Sequence, residues 1–152
     1  MSHIETTHFG PLAYEPEAVI EFPAGLPGFE NETRFVPVKI GEYAPLVFLQ
    51  SLATPGLCFL TLPVASVDPD YRLEVAPEDL ARIGLAPRRQ PRTDSEVLCL
   101  AVLTVAEEGI TANLRAPLVI ALAKRRGVQS IQPEGRYSHR HALDSGEAAP
   151  CS

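Results

Sequence analysis

The sequence has no apolar run that approaches the roughly 18 to 20 residues needed by a membrane-spanning helix. Its first residues, MSHIETTHFG, contain no basic region followed by an apolar stretch. We therefore expect no membrane segment and no signal peptide, and a cytoplasmic protein follows by default. Cysteine is scarce too: of three, Cys58 and Cys99 lie inside apolar runs and Cys151 lies in a polar C-terminal segment. These spacings exclude a disulfide framework and a cysteine-based zinc site.

Sequence motifs for catalysis are also missing. No Gly-x-Ser-x-Gly occurs, and the glycine-rich stretch EFPAGLPGFE at residues 21–30 carries two prolines, which remove backbone donors, and a glutamate at each end. No lysine follows Gly28, so a phosphate-binding loop is not indicated. Asp68 and Asp70 could form a carboxylate pair, but Asp-Pro followed by Asp-Tyr is typical of a turn. We expect no enzymatic activity and no cofactor.

Charge is distributed unevenly along the chain. Residues 1–80 carry 12 acidic and 3 basic side chains, a balance of −9, whereas residues 81–152 carry 7 acidic and 10 basic ones, a balance of +3, which gives the net −6. An acidic half would repel polyphosphate, so nucleic-acid binding by the whole chain is not expected. A basic protein partner suits this half better.

The pattern of short apolar runs predicts an all-β fold. With 152 residues, 45% hydrophobic composition and 15 prolines, the chain can bury one core but favours short elements over long helices. About seven to nine short strands are expected, at residues 4–9, 18–22, 34–39, 46–50, 57–62, 97–105, 118–123 and 127–131. The run at 97–105 does not alternate, which indicates a strand covered on both faces or one crossing a closed barrel.

Proline and two acids open residues 77–83, and Gly84 follows them, so we expect one short helix there. Because strands and helices do not alternate, the elements together predict a small antiparallel β-barrel or rolled sheet. We expect a single domain over residues 1–141 and a disordered C-terminal tail over residues 142–152.

Two clusters leave other functions open. His139 and His141 would lie on one face of an extended segment and could ligate a metal, although a partly buried, hydrogen-bonded cluster or a polar strand end explains them better. Arg88, Arg89 and Arg92 form one basic loop and Lys124, Arg125 and Arg126 another. Either could contact RNA in a small nucleic-acid-binding β module, although solvated loops explain both and neither contains an aromatic residue for stacking.

Six short sequence segments, taken together, identify a family more specifically than any one of them does alone. They are FPAGLPGFE at 22–30, PLVFLQSLATPGLCFLTLP at 45–63, DPDY at 68–71, TANLRAPLVI at 111–120, RGVQ at 126–129 and YSHRH at 137–141. In order and spacing they resemble the FliW family of flagellar assembly factors. One difference is the segment after the helix, which is usually acidic in that family and is APRRQPR at 86–92 here.

The resemblance implies a cytoplasmic β-barrel without enzymatic activity that binds two proteins. One is the translational regulator CsrA, a basic RNA-binding dimer that represses flagellin synthesis, and the other is flagellin before its export. No cofactor, membrane or direct nucleic-acid contact is implied, and we expect a monomer when the protein is free. Exposed members of the shared blocks are then the candidate partner-binding residues: Leu26, Phe29, Glu30, Asp70, Tyr71, Asn113 and Arg140.

Overall fold

The computed structural model describes residues 2–26, 28–93 and 95–143, most of which belong to or connect β-strands. The strands are β1 (Ser2–Thr6), β2 (Gly10–Tyr14), β3 (Ile20–Glu21), β4 (Arg34–Val38), β5 (Val47–Ser51), β6 (Cys58–Pro63), β7 (Val97–Ala106), β8 (Gly109–Ala112), β9 (Leu118–Ala121), β10 (Arg126–Gln129) and β11 (His141–Ala142). The helices are α1 (Val64–Val67) and α2 (Pro77–Arg82), and short 3-10 turns cover Pro16–Ala18 and Gly41–Tyr43. No described helix is long and apolar enough to cross a membrane.

Seven strands close into a barrel. β3 to β7 pair in sequence order, β9 pairs with β7, and β10 pairs with β9. A single parallel bridge between Arg126 and Glu21 joins β10 to β3 and completes the ring. β8 extends the second half of β7, β11 pairs with β8, and β1 and β2 form a separate hairpin. The predicted small, mostly antiparallel barrel is confirmed.

Side chains on the two faces of β7 enter two different cores. Leu100 packs inside the barrel with Phe22 and Phe35, whereas Cys99 and Ala101 face a second core outside it. β7 is therefore covered on both faces, which explains why its sequence is apolar without alternation.

The outer core is covered by the segment that contains both helices. Leu80 and Ile83 are fully buried there. The predicted helix at 77–83 is confirmed over Pro77–Arg82, with Ile83 as its C-cap. The four-residue α1 was not expected, because a single helical turn is too short to produce a period in the sequence.

Several predicted strand bounds are wrong. The strand expected at 4–9 ends at Thr6, because its hydroxyl accepts a hydrogen bond from the Phe9 amide at 2.9 Å and donates one to the Gly10 carbonyl at 2.9 Å, which closes a turn into the unpredicted β2. The strand expected at 18–22 shrinks to Ile20–Glu21 after the turn at Pro16–Ala18. The short strands β8 and β11 were not expected.

The C-terminal strand continues the ladder along β8. After His141–Ala142, the Leu143 amide donates a 3.0 Å hydrogen bond to the Ile110 carbonyl, and the Leu143 side chain packs against the outer core. Residues 144–152, most of the predicted disordered tail, lie outside the described residues.

Candidate partner-binding groove

The corner at residues 22–30 joins β3 to β4 and is fixed by its own backbone. Phe22 is buried inside the barrel, edge-on to Phe35 with ring centroids 5.6 Å apart, and its carbonyl accepts the Gly25 amide at 2.7 Å. Gly25 has φ +67°, and a Cβ there would lie 2.5 Å from the Glu30 carbonyl oxygen. Only glycine fits such a close backbone approach.

Leu26 and Phe29 face each other across this corner but have opposite exposures. The amide of each donates to the carbonyl of the other, at 3.3 Å from Leu26 and 2.7 Å from Phe29. Leu26 is 5% exposed and belongs to the core inside the barrel, whereas Phe29 is 41% exposed. The Phe29 ring stands edge-on to Phe59 of β6, with centroids 5.4 Å apart. Leu26 therefore contributes to the core and Phe29 to the surface.

An open groove of about 280 Å³ lies between this corner and the far side of the barrel. It continues outward from the core inside the barrel, because Leu26 and Leu118 belong to that core and Phe59 and Val102 pack against it. The lining residues are Leu26, Phe29, Phe59, Val102, Thr104, Asn113, Leu118, Gln129, His139 and Arg140. Four of the seven predicted partner-binding residues, Leu26, Phe29, Asn113 and Arg140, are thus brought to one place.

Asn113 shapes the groove at the break between β8 and β9. Its Oδ1 accepts the amides of Arg115 at 3.2 Å and Ala116 at 3.0 Å, as expected for an asparagine that satisfies backbone groups where a strand is interrupted. The Gln129 side chain holds the same break, because its Nε2 donates to the Ala116 carbonyl at 3.1 Å. The break is therefore a fixed part of the groove wall.

The segment at residues 137–141 brings the basic groups to the groove. The Ser138 carbonyl accepts the Leu114 amide at 3.0 Å, and the Ser138 hydroxyl accepts the Arg140 amide at 3.0 Å. His139 and Arg140 are exposed. Within the described ranges, none of the three ion pairs involves Arg140.

Asp70, Tyr71 and Glu30 do not line the groove. Asp70 is exposed in the predicted turn, where its amide donates to Asp68 Oδ1 at 2.9 Å. The Glu30 carboxylate is exposed and accepts the Gly28 amide at 2.9 Å.

Tyr71 instead contacts Tyr137 and Leu114, which lie beside the groove. Its ring stacks on Tyr137 with centroids 4.2 Å apart, and its hydroxyl donates to the Leu114 carbonyl at 2.5 Å. Burial, the largest cause, raises the pKa of Tyr71 above its ordinary value. Tyr71 thus helps to hold residues 137–141, which carry Arg140, against the break between β8 and β9.

The sequence did not identify Phe59, Val102, Thr104, Leu118 and Gln129 as groove residues, and it indicated His139 as a metal ligand or as part of a polar cluster or strand end. Phe59 and Val102 lie in apolar runs that also fill the core, so nothing in their local pattern marks them as exposed. The one available signal was Gln129, a polar residue directly after the buried Val128 in β10.

In each of the two basic loops, at least one arginine forms hydrogen bonds within the protein. The guanidinium of Arg89 forms two hydrogen bonds with the Glu96 carboxylate, at 2.9 and 2.5 Å. Hydrogen bonds from Arg89 and from the Arg92 amide lower the pKa of Glu96 to about 2. In the other loop, Arg125 donates to the Ala18 carbonyl at 2.8 Å. These contacts weaken the alternative of a nucleic-acid surface, because neutralised or anchored arginines attract phosphate less.

His139 and His141 are both exposed, and His141 pairs with Ala112 in the ladder. Over residues 2–26, 28–93 and 95–143, no group of three or more His, Cys, Asp or Glu side chains is arranged to hold a metal ion. Cys58 is half-buried, and burial raises the pKa of its thiol to about 11, which keeps it protonated at neutral pH.

A family model described as "FliW protein" matches residues 3–143. A flagellar assembly factor FliW of Syntrophomonas wolfei is 36% identical over 142 residues, covering 92% of this chain and 87% of that protein. One from Desulfitobacterium hafniense strain Y51 is also 36% identical, covering 93% and 91%. A crystal structure of the flagellar assembly factor FliW superposes with a TM-score of 0.80 at 32% identity, covering 94% of this chain and 97% of that one.

Proposed function

This chain belongs to the FliW family, and from that premise we propose that it is a cytoplasmic, non-enzymatic flagellar assembly factor that binds CsrA and flagellin. When flagellin accumulates it occupies this protein and leaves CsrA free to repress flagellin translation. When flagellin is exported, the released protein sequesters CsrA, and translation resumes. The protein would thereby couple flagellin synthesis to export.

The observation that carries a binding function is the groove itself. An aromatic side chain with 41% exposure, Phe29, lines a concave groove that contains both apolar and polar side chains. Partly exposed aromatic anchors beside a pocket are the features around which protein–protein contacts concentrate their binding energy. The rigid corner beneath Phe29 supports this role, because a preformed anchor loses little entropy on binding.

Charge supports CsrA as one of the partners. Residues 2–18, which form the β1–β2 hairpin and the following turn, carry three exposed glutamates, Glu5, Glu15 and Glu17, and neither lysine nor arginine. An acidic surface attracts a basic RNA-binding protein and competes electrostatically with its RNA.

The proposal is tested by calorimetric titration of the purified protein against the CsrA and the flagellin of its own host. We expect saturable 1:1 binding per subunit with each protein at about 10–50 μM. A titration without heat for both proteins, repeated at a second temperature to exclude a zero binding enthalpy, would refute the proposed function.

A further inference from the structure

The groove is lined by two chemically different sets of side chains. One set is apolar and consists of Leu26, Phe29, Phe59, Val102 and Leu118. The other set is polar and consists of Thr104, Asn113, Gln129, His139 and Arg140. A ligand that fills the groove must therefore place an apolar group and a polar group close together.

Asn113 and Arg140 offer hydrogen-bond donors to a ligand. Asn113 uses its Oδ1 for the amides of Arg115 and Ala116, so its Nδ2 group is the part that remains for a ligand. Arg140 is exposed, and the only hydrogen bond described for it uses its backbone amide. Converging donors with a positive charge select an acceptor with a negative charge, and a guanidinium binds a carboxylate through two parallel hydrogen bonds.

The size of the groove limits what can enter it. Its volume of about 280 Å³ is at or below the roughly 300–1,000 Å³ of sites that enclose whole small molecules. It is suited to one or two side chains of a chain that crosses its mouth.

We propose that the groove binds a segment of flagellin that inserts a large apolar side chain against Phe29 and Phe59 and presents an adjacent carboxylate to Arg140. This inference rests on the proposed function. CsrA is a basic protein, so the positive charge of Arg140 in the groove repels it, and like-charge contacts across an interface disfavour the wrong partner. Flagellin then uses the groove and CsrA uses acidic surface elsewhere, so bound flagellin excludes CsrA through coupling between the two surfaces and not by occupying the same one.

Two groove variants and two matched controls test the inference in the same titrations. Phe29→Ala removes the aromatic anchor and Arg140→Glu reverses the charge. Val105→Ala changes an apolar side chain that is 66% exposed and does not line the groove. Arg88→Glu makes the same charge change in an exposed loop outside the groove.

We expect each groove variant to weaken flagellin binding by at least about tenfold, while its affinity for CsrA stays within about twofold of wild type. Both controls should bind both proteins as wild type does. Arg140→Lys should weaken flagellin binding less than Arg140→Glu does, because lysine keeps the positive charge although it cannot form the paired hydrogen bonds. Thermal unfolding of each variant checks that the fold is unchanged. If Phe29→Ala does not fold, the inference is judged on the flagellin affinity of Arg140→Glu.

The outcomes separate the inference from the proposed function. If the wild type binds neither protein, the proposed function fails. If the wild type binds flagellin and Arg140→Glu binds it equally well, the groove is not the flagellin site and the inference is overturned. It is equally overturned if the groove variants lose CsrA instead of flagellin.

Discussion

At the scale of single residues, the corner at 22–30 shows how backbone geometry assigns side chains to core or surface. Leu26 and Phe29 exchange backbone hydrogen bonds, so the chain reverses between them. This reversal depends on two glycines with positive φ, Gly25 at +67° and Gly28 at +84°. Within four positions, the corner therefore places one side chain, Leu26, in the core and another, Phe29, on the surface.

The two glycines differ in one respect, which gives a prediction. A Cβ on Gly25 would lie 2.5 Å from the Glu30 carbonyl oxygen, whereas a Cβ on Gly28 would meet nothing within 4 Å. Gly28→Ala should lower the free energy of unfolding by about 1–2 kcal/mol through its backbone conformation alone. Gly25→Ala adds a steric clash and should cost about 3 kcal/mol or more. Urea unfolding of both variants checks this, and equal losses would contradict it.

At the scale of elements, the side chains of Gln132 and Gln90 make hydrogen bonds to the backbone of residues 74 and 75, as a neighbouring strand would do. Gln132 accepts the Glu74 amide at 2.9 Å and donates to the Glu74 carbonyl at 2.9 Å. Gln90 makes the same pair of contacts with Val75, at 2.8 and 3.0 Å. The segment between α1 and α2 is thereby tied to the residues that follow β10 on one side and to the basic loop on the other.

The two glutamines predict different costs for the same substitution. Gln132 is 1% exposed, so Gln132→Ala leaves backbone groups without a partner and should cost about 1–3 kcal/mol of unfolding free energy. Gln90 is exposed, so water can replace its amide, and Gln90→Ala should cost less than about 1 kcal/mol. Denaturant unfolding of the two variants measures the difference, and a larger loss for Gln90→Ala would reject this account.

The carboxylates of Glu32 and Glu96, which connect different segments of the chain, should make the free energy of unfolding depend on pH. Hydrogen bonds from Ser51 and Thr54 lower the pKa of Glu32, and hydrogen bonds from Arg89 and the Arg92 amide lower that of Glu96 to about 2. A lowered folded-state pKa contributes stability above the ordinary pKa, near 4.5, and that stability is lost as the pH falls toward the folded-state value.

The free energy of unfolding should therefore decrease from about pH 5 to about pH 2. Glu96→Gln should make this decrease shallower, whereas Glu17→Gln, a change at an exposed glutamate in the 3-10 turn, should leave its slope unchanged. Chemical denaturation across this pH range measures both slopes. An unchanged slope in Glu96→Gln would show that the contact with Arg89 does not persist in solution.

At the scale of the whole molecule, charge is distributed unevenly between two parts of the chain. Three exposed glutamates lie in residues 2–18, whereas the positive charge of the groove comes from Arg140. The four large exposed apolar residues of the described chain, Phe29, Tyr43, Val105 and Ile131, come from four different segments. Scattered single residues of this kind are normal on a monomer.

We therefore expect the free protein to be a monomer of 16.5 kDa. Sedimentation velocity at about 10–100 μM should give one species of that mass. A concentration-dependent dimer would contradict this prediction and would place some of the exposed apolar residues in an interface between copies.

The sequence by itself determined the β class, the short helix at 77–83, the two-sided burial of β7 and the family. These features depend on local composition and on the order of blocks, which a sequence carries directly. Short strands such as β8 and β11 escaped prediction, because their pairing with β7 and with each other, rather than any local pattern, makes them strands.

Only the tertiary structure decided which candidate residues share a site. Closing the barrel brings residues 26 and 29 next to residues 113 and 140, which lie far apart in the chain, and leaves Asp70 in a separate turn. It also decided that Leu26 faces the core and Phe29 the surface. The physical reason is that apolar side chains look alike in a sequence, whereas burial depends on which neighbours the closed sheet places around each one.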